Sequence, residues 1–150
     1  MNIAIRPAEF EDIEALIALL DQLFSIEDDF VFDEVKQRKG LELMLTSGSG
    51  RCILVAEHQA SVVGMVTVQT LVSTAEGGFV GLLEDLVVRH DCRRQGIGQK
   101  LLAAIEAWAE RQGLTRLQLL ADRNNQPALN FYDNVGWSKT SLIGLRRSLS

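Results

Sequence analysis

The stretch from residue 79 to residue 113 constrains this chain more than any other. "FVGLLEDLVV" (79–88) is apolar except for Glu84 and Asp85, and its length and content predict a strand. "RHDCRRQGIG" follows, carrying Arg93, Arg94 and the glycines Gly96 and Gly98. Ile97, Leu101, Leu102, Ile105 and Trp108 then recur at helical spacing, and Gly113 closes the pattern as an expected left-handed cap. A helix that opens on Gly-x-Gly just after a strand presents unpaired amides beside bare backbone. Its dipole favours an anion there, which makes the turn a phosphate-cradling geometry. Any strand-turn-helix can use glycine, so the turn alone leaves nucleotide, phosphate and purely structural readings open.

Two nucleotide readings fail on inspection. A dinucleotide fingerprint needs a third glycine where this chain has Leu101, and a P-loop needs Lys then Ser or Thr after its last glycine. Here Gly98 is followed by Gln99, Lys100 and Leu101.

The rest of the chain supplies a mixed set of elements. "IAIR" (3–6) reads as a strand ended by Pro7. Ile13, Leu16, Ile17, Leu20, Leu23 and Phe24 share one helical face, softly started by Glu9 and Asp12. An acidic connection (25–34) leads to a second helix, weakened by Gly40 and stopped near Gly48. "RCILVAE" (51–57) and "SVVGMVTVQTLVS" (61–73) are strands of a hairpin whose turn lacks Asn-Gly. After the central helix come a strand (115–121), a helix (126–135) with Pro127 in its first turn, and one or two final strands from "GWSKTSLIGLRRSL". The order β-α-α-β-β-β-α-β-α-β, with a further strand allowed, predicts one α/β (α+β) domain over 1–150. Its sheet is mixed and mostly antiparallel, six- or seven-stranded, with helices on both faces.

Charge narrows the partners. The net charge is −5, and residues 1–50 hold 11 acids against 4 bases, whereas residues 51–150 hold 9 against 11. Such a balance argues against nucleic acid, which selects a basic footprint. No apolar run reaches the roughly 20 residues that span a bilayer, and no signal peptide is expected, so the reading is cytoplasmic, with no membrane partner. Cys52 and Cys92 are expected as free thiols, and His58 and His90 sit in turns without a metal pattern, so no metal is expected.

Two motifs together are specific. Arg93 to Gly98 fit Q/R-x-x-G-x-G/A after the strand "EDLVV". Downstream, Asn125, Ala128, Phe131, Tyr132, Gly136 and Trp137 fit N-x-x-A-x-x-F-Y-x-x-x-G-F, with Trp137 in place of the usual Phe. In this order and at this distance they resemble the GNAT superfamily of acyl-CoA-dependent N-acetyltransferases, over essentially the whole chain.

The resemblance implies acetyl-CoA as acyl donor. Arg93, Arg94, Gln95, Gly96, Ile97, Gly98 and Gln99 would meet its pyrophosphate, and the backbone of Leu86, Val87 and Val88 its pantetheine arm, admitted by a β-bulge. Asn125 stands where the family's Asn holds the cofactor, and Tyr132 where its Tyr protonates the departing thiolate. Glu84 is the candidate general base, and strand alternation puts it on the face of Leu86 and Val88, with Asp85 opposite. The acceptor is expected to be a primary amine of a small molecule or peptide. The acids Glu27, Asp28, Asp29, Asp33 and Glu34 would attract a cationic one, and Phe30 and Phe32 line a pocket or pack the helix pair. A homodimer is compatible with the family. The rival reading is a catalytically inactive acyl-CoA-binding regulatory domain, which needs the glycines but neither Glu84 nor Tyr132.

Overall fold

The two β-branched runs close on each other through a two-residue turn. β2 (Arg51–His58) and β3 (Ser61–Ser73) pair antiparallel, with His58 opposite Ser61. Gln59 and Ala60 both take positive φ, 50° and 64°, the conformation that Asn-Gly adopts without strain. This is the computed structural model of the chain, describing residues 2–27, 29–46 and 48–149. It divides into two compact units, Met1–Leu119 and Leu120–Ser150.

In the first unit β1 (Ala4–Pro7), β2, β3 and β4 (Gly78–Val88) form an antiparallel meander, and β5 (Leu117–Leu119) adds to β4 in parallel. α1 (Ile13–Ile26) and α2 (Glu34–Thr46) cover one face. Ile13, Leu16, Ile17, Leu20 and Leu41 are buried there against Ile53, Val55, Met65 and Val87. α3 (Ile97–Arg111) covers the other face with Ile97, Leu101 and Ile105. It packs close because Gly64 has no side chain; a Cβ there would stand 3.1 Å from Leu101 and 3.4 Å from Ile97. Each fully buried aliphatic side chain contributes roughly 1.5–3 kcal/mol, so the two apolar layers are what hold the sheet. Gly113, at φ 77°, ends α3 as expected.

The acidic connection has structural duties. Asp33 caps α2 by accepting the N–H groups of Val35 (3.1 Å) and Lys36 (3.3 Å). Glu34 pairs with Arg38, which also holds Glu14 of α1. Phe30 stacks on Phe24 at 5.3 Å, and Phe32 packs against the core beneath the helix pair. Asp28 lies outside the described residues.

In the second unit, α4 (Gln126–Asn134) is the one helix among the described residues. The strand count differs from expectation. Among the described residues the sheet has five strands rather than six or seven, and 138–149 contains none. The alternating pattern there finds no ladder, and Leu142, Ile143, Leu145 and Leu149 are 75–89% exposed. Strand propensity without a partner to satisfy its N–H and C=O groups does not make a strand. None of the described helices is long and apolar enough to cross a membrane.

Candidate active site

β4 carries the central irregularity. Val66 pairs with Leu86 and Val68 with Leu83, so Glu84 and Asp85 together stand opposite Thr67 alone. That is a β-bulge with the extra residue on β4. It corrects the expected alternation. Counted forward from Leu83, Glu84 falls on the opposite face to Leu83; counted back from Leu86, Asp85 falls on the opposite face to Leu86. Leu83 and Leu86 share a face through their partners Val68 and Val66, so both acids turn toward the face of Thr67 and Met65. The expected separation of Glu84 from Asp85 is lost to the bulge.

The two carboxylates differ in surroundings. Glu84 is exposed and has no hydrogen-bond or ion-pair partner among the described residues. Asp85 is half-buried, and Thr67 Oγ1 both donates to its Oδ2 and accepts its N–H, each at 3.1 Å. Burial, helped by the neighbouring Glu84 charge, pushes the Asp85 carboxyl from 3.8 up to about 6, against the opposing Thr67 hydrogen bond. A raised carboxyl pKa means the folded state binds the proton more tightly than the unfolded one. The Asp85 contribution to stability is therefore most favourable below 3.8 and falls as pH rises toward 6. Those two pH units are worth about 3 kcal/mol. Asp85→Asn is expected to recover about 2 kcal/mol at about pH 7.5 and almost nothing at about pH 4, measured by thermal unfolding. A variant less stable than wild type at the higher pH would contradict this.

Past the bulge, β4 loses its outer neighbour. β5 pairs with Gly81, Leu82 and Leu83 and goes no further. Leu86, Val87 and Val88 have no ladder partner on that side among the described residues. The Val87 side chain is 4% exposed and committed to the core, and its backbone faces Met65 of β3, so the outer edge here is made by the backbone of Leu86 and Val88. The chain then makes one 3-10 turn (His90–Cys92), tied to α1 where the His90 N–H donates to Gln22 Oε1 at 3.0 Å. Arg93 folds back to donate from Nε to the Val88 carbonyl at 3.0 Å.

Arg94 and Gly96 both have positive φ, 64° and 78°. No protein atom lies within 4 Å of a Cβ built on Gly96, so the backbone angle, rather than crowding, calls for glycine. α3 starts at Ile97 with no side-chain cap, and its first turn closes when the Lys100 N–H donates to the Gly96 carbonyl at 3.1 Å. Arg93, Arg94, Gln95 and Gln99 are exposed and Gly98 is half-exposed, whereas the Ile97 side chain is core and offers only its amide. An uncapped helix start following an unpaired strand edge suits a pyrophosphate with an extended arm.

In the second unit, Asn125 is the N-cap of α4, its Oδ1 accepting the Ala128 N–H at 3.2 Å. A cap uses only the oxygen and leaves the Nδ2 donors for another acceptor. Half-buried Tyr132 meets Phe131 edge-on at 5.3 Å and Trp137 at 6.0 Å. Gly136, at φ 93°, turns the chain so that the Trp137 N–H returns to the Tyr132 carbonyl at 2.9 Å. The Asn-to-Gly motif thus has a local structural basis at both ends.

Sequence reading passed over Thr67. Its signal was a hydroxyl within "VVGMVTVQ", where Val66 and Val68 are fully buried and Thr67 is 4% exposed. The cysteines are unpaired; burial pushes Cys52 up to about 11 and Cys92 is enclosed, so neither is poised as a nucleophile.

Comparison with known proteins agrees with this geometry. An aminoalkylphosphonate N-acetyltransferase of Salmonella typhimurium is 27% identical over 91% of this chain and 85% of its own length. A probable N-acetyltransferase, camello, of Xenopus laevis is 33% identical over 63% of this chain, which spans 41% of that protein. An aminoglycoside N-acetyltransferase solved in complex with CoA has the same fold, with a TM-score of 0.84, 17% identity, and coverage of 98% of this chain and 95% of that one. Residues 14–137, taking in the bulge, the glycine turn and Tyr132, match the model of the acetyltransferase (GNAT) family, and the chain belongs to that family.

Proposed function

We propose that the chain transfers an acetyl group from acetyl-CoA to a primary amine, by direct attack, on a small-molecule acceptor in preference to a peptide. One observation carries the reading: the β4 edge from Leu86 to Val88, without an outer ladder partner among the described residues, runs toward the uncapped, left-handed entry of α3. In this reading the edge pairs its backbone with the pantetheine arm. The amides and guanidinium groups from Arg93 to Gln99 hold the pyrophosphate, and Asn125 adds its side-chain donors. Relatives and fold neighbours named for aminoalkylphosphonates and aminoglycosides support a small acceptor.

The chemistry follows from the acceptor's protonation. An amine of pKa near 10.4 is neutral in only about one molecule in two thousand at about pH 7, a deficit of roughly 4–5 kcal/mol. Glu84, exposed at the bulge, takes the ammonium proton, directly or through water. A backbone N–H near Leu86 donates to the oxygen as the thioester carbonyl turns tetrahedral. As the C–S bond breaks, Tyr132 gives its proton to the departing thiolate, and the nitrogen of the new C–N bond gives up its second proton to the phenolate left behind.

Tyr132→Phe is expected to lower turnover about tenfold to a hundredfold with acetyl-CoA affinity within twofold of wild type. Steady-state rates with calorimetry check this, and unchanged turnover removes Tyr132 from the mechanism. The function itself is tested by acetyl-CoA calorimetry, then by thiol release with an aminoalkylphosphonate, an aminoglycoside, a polyamine and a lysine peptide. Binding without thiol release across that panel favours the inactive regulatory domain.

A further inference from the structure

We propose that Thr67 is a positioning residue of the acyl-transfer site: its hydroxyl, clasped to Asp85, pins the extra residue of β4 and so fixes where Glu84 and the Leu86–Val88 edge stand. The inference rests on the reading that Glu84 acts on the acceptor.

Thr67 lies between Val66 and Val68, both 0% exposed, and a buried hydroxyl without a partner is costly. In a regular antiparallel ladder each inward N–H of β4 would meet a β3 carbonyl. The extra residue of a bulge has no such partner. The Thr67 Oγ1 supplies one by accepting the Asp85 N–H, and returns its own proton to Asp85 Oδ2. One side chain thus satisfies both the backbone and the side chain of the bulged residue.

Removing that clasp has a defined consequence. The bulge would keep a buried N–H and a carboxyl oxygen without a partner, and its cheapest escape is to change register. A slip of one residue turns every side chain beyond it to the other face. A slip taken up on the β5 side would set Glu84 opposite Val68, off the face it now shares with Thr67; one taken up on the α3 side would leave Glu84 there and move the Leu86–Val88 edge against the start of α3. Thr67 touches neither substrate in this account and acts through the strand.

Thr67→Val keeps the shape and deletes the hydroxyl; Thr67→Ser keeps the hydroxyl. With the fastest amine of the panel above, Thr67→Val is expected to lower kcat at least tenfold while the acceptor KM changes less than threefold. Calorimetry should show acetyl-CoA affinity weakened about threefold or more. Thr67→Ser should return both to within threefold of wild type. Combined with Glu84→Gln, Thr67→Val should add less than a twofold further loss of kcat, because its effect runs through Glu84. A folded Thr67→Val with wild-type kcat and affinity and only a lower Tm would make the hydroxyl merely structural and overturn the proposal. Failure of Thr67→Ser to rescue, or fully multiplicative losses with Glu84→Gln, would overturn it equally. If Thr67→Val does not fold, Thr67→Ala carries the same comparison. If Glu84→Gln alone leaves turnover intact, the base assignment has failed. Acetyl-CoA affinity of the Thr67 variants then decides the positioning role by itself, and an unchanged affinity rejects it.

Discussion

Glu84→Gln is expected to lower turnover about 10²–10³-fold while leaving acetyl-CoA affinity within about twofold, because a positioned base contributes on that scale. Glutamine keeps the size and the bulge but cannot take a proton. Glu84 is suited to the task because it is exposed at the bulge and is not engaged by any cation or hydrogen-bond donor among the described residues. The rate–pH profile carries the sharper evidence. With Glu84 as base, the acidic limb is lost or displaced in the variant, and a limb that stays put at reduced height removes Glu84 as base. Asp85 titrates nearby, at about 6, so Asp85→Asn is the control. With Glu84 as base, that variant keeps turnover within about tenfold of wild type, since it loses a neighbouring charge and not the proton acceptor.

The second large effect is on stability. Arg6→Ala is expected to cost about 3 kcal/mol, a fall in Tm of roughly 6–12 °C for a chain of this size. Arg6 donates to both oxygens of Asp12 at 2.8 and 3.0 Å and to Glu57 at 2.9 and 3.3 Å, joining β1, β2 and the entry to α1. Asp12 is 8% exposed and also accepts the Glu9 N–H at 2.8 Å. Without the guanidinium, its carboxylate would remain enclosed and unpaired. The bidentate Arg6 hydrogen bonds hold the Asp12 carboxyl below its ordinary 3.8. That stabilisation is fully present above the unfolded value and is lost as pH falls through the lower folded one. The gap between wild type and Arg6→Ala should therefore be widest at neutral pH and close below about pH 4, closing in acid as the Asp85→Asn gap does but with the opposite sign, the variant here being the less stable protein. Urea titrations at several pH values measure it. A gap independent of pH would mean that the arginine acts through packing of its stem alone.

What could be read from the chain beforehand followed from local rules. The glycine turn, the α3 stripe and the Gly113 cap are each set by residues within a few positions of one another, and all three stand as expected. The bulge was anticipated as a feature, but its consequence was not. The alternation of Glu84, Leu86 and Val88 is regular in sequence and becomes irregular only against the register of β3. The final segment failed for a related reason: Leu142, Ile143 and Leu145 look strand-like, but pairing depends on an available edge, which local pattern does not encode. The acidic run carries structural roles that its charge alone did not announce. Asp33 precedes a helix and acts as its cap, and Glu34 stands four residues before Arg38, so both had structural signatures beside the electrostatic one.

The most direct test of the central claim follows the acetyl group itself. Acetyl-CoA labelled in the acetyl carbons is incubated with the protein and each amine of the panel, and label on the amine is counted against free thiol released. Transfer predicts label on at least one amine in equal amount to the thiol, abolished when the amine is omitted and strongly reduced in Glu84→Gln. Tight binding of acetyl-CoA with the label retained on the donor, or lost only to water, would contradict it.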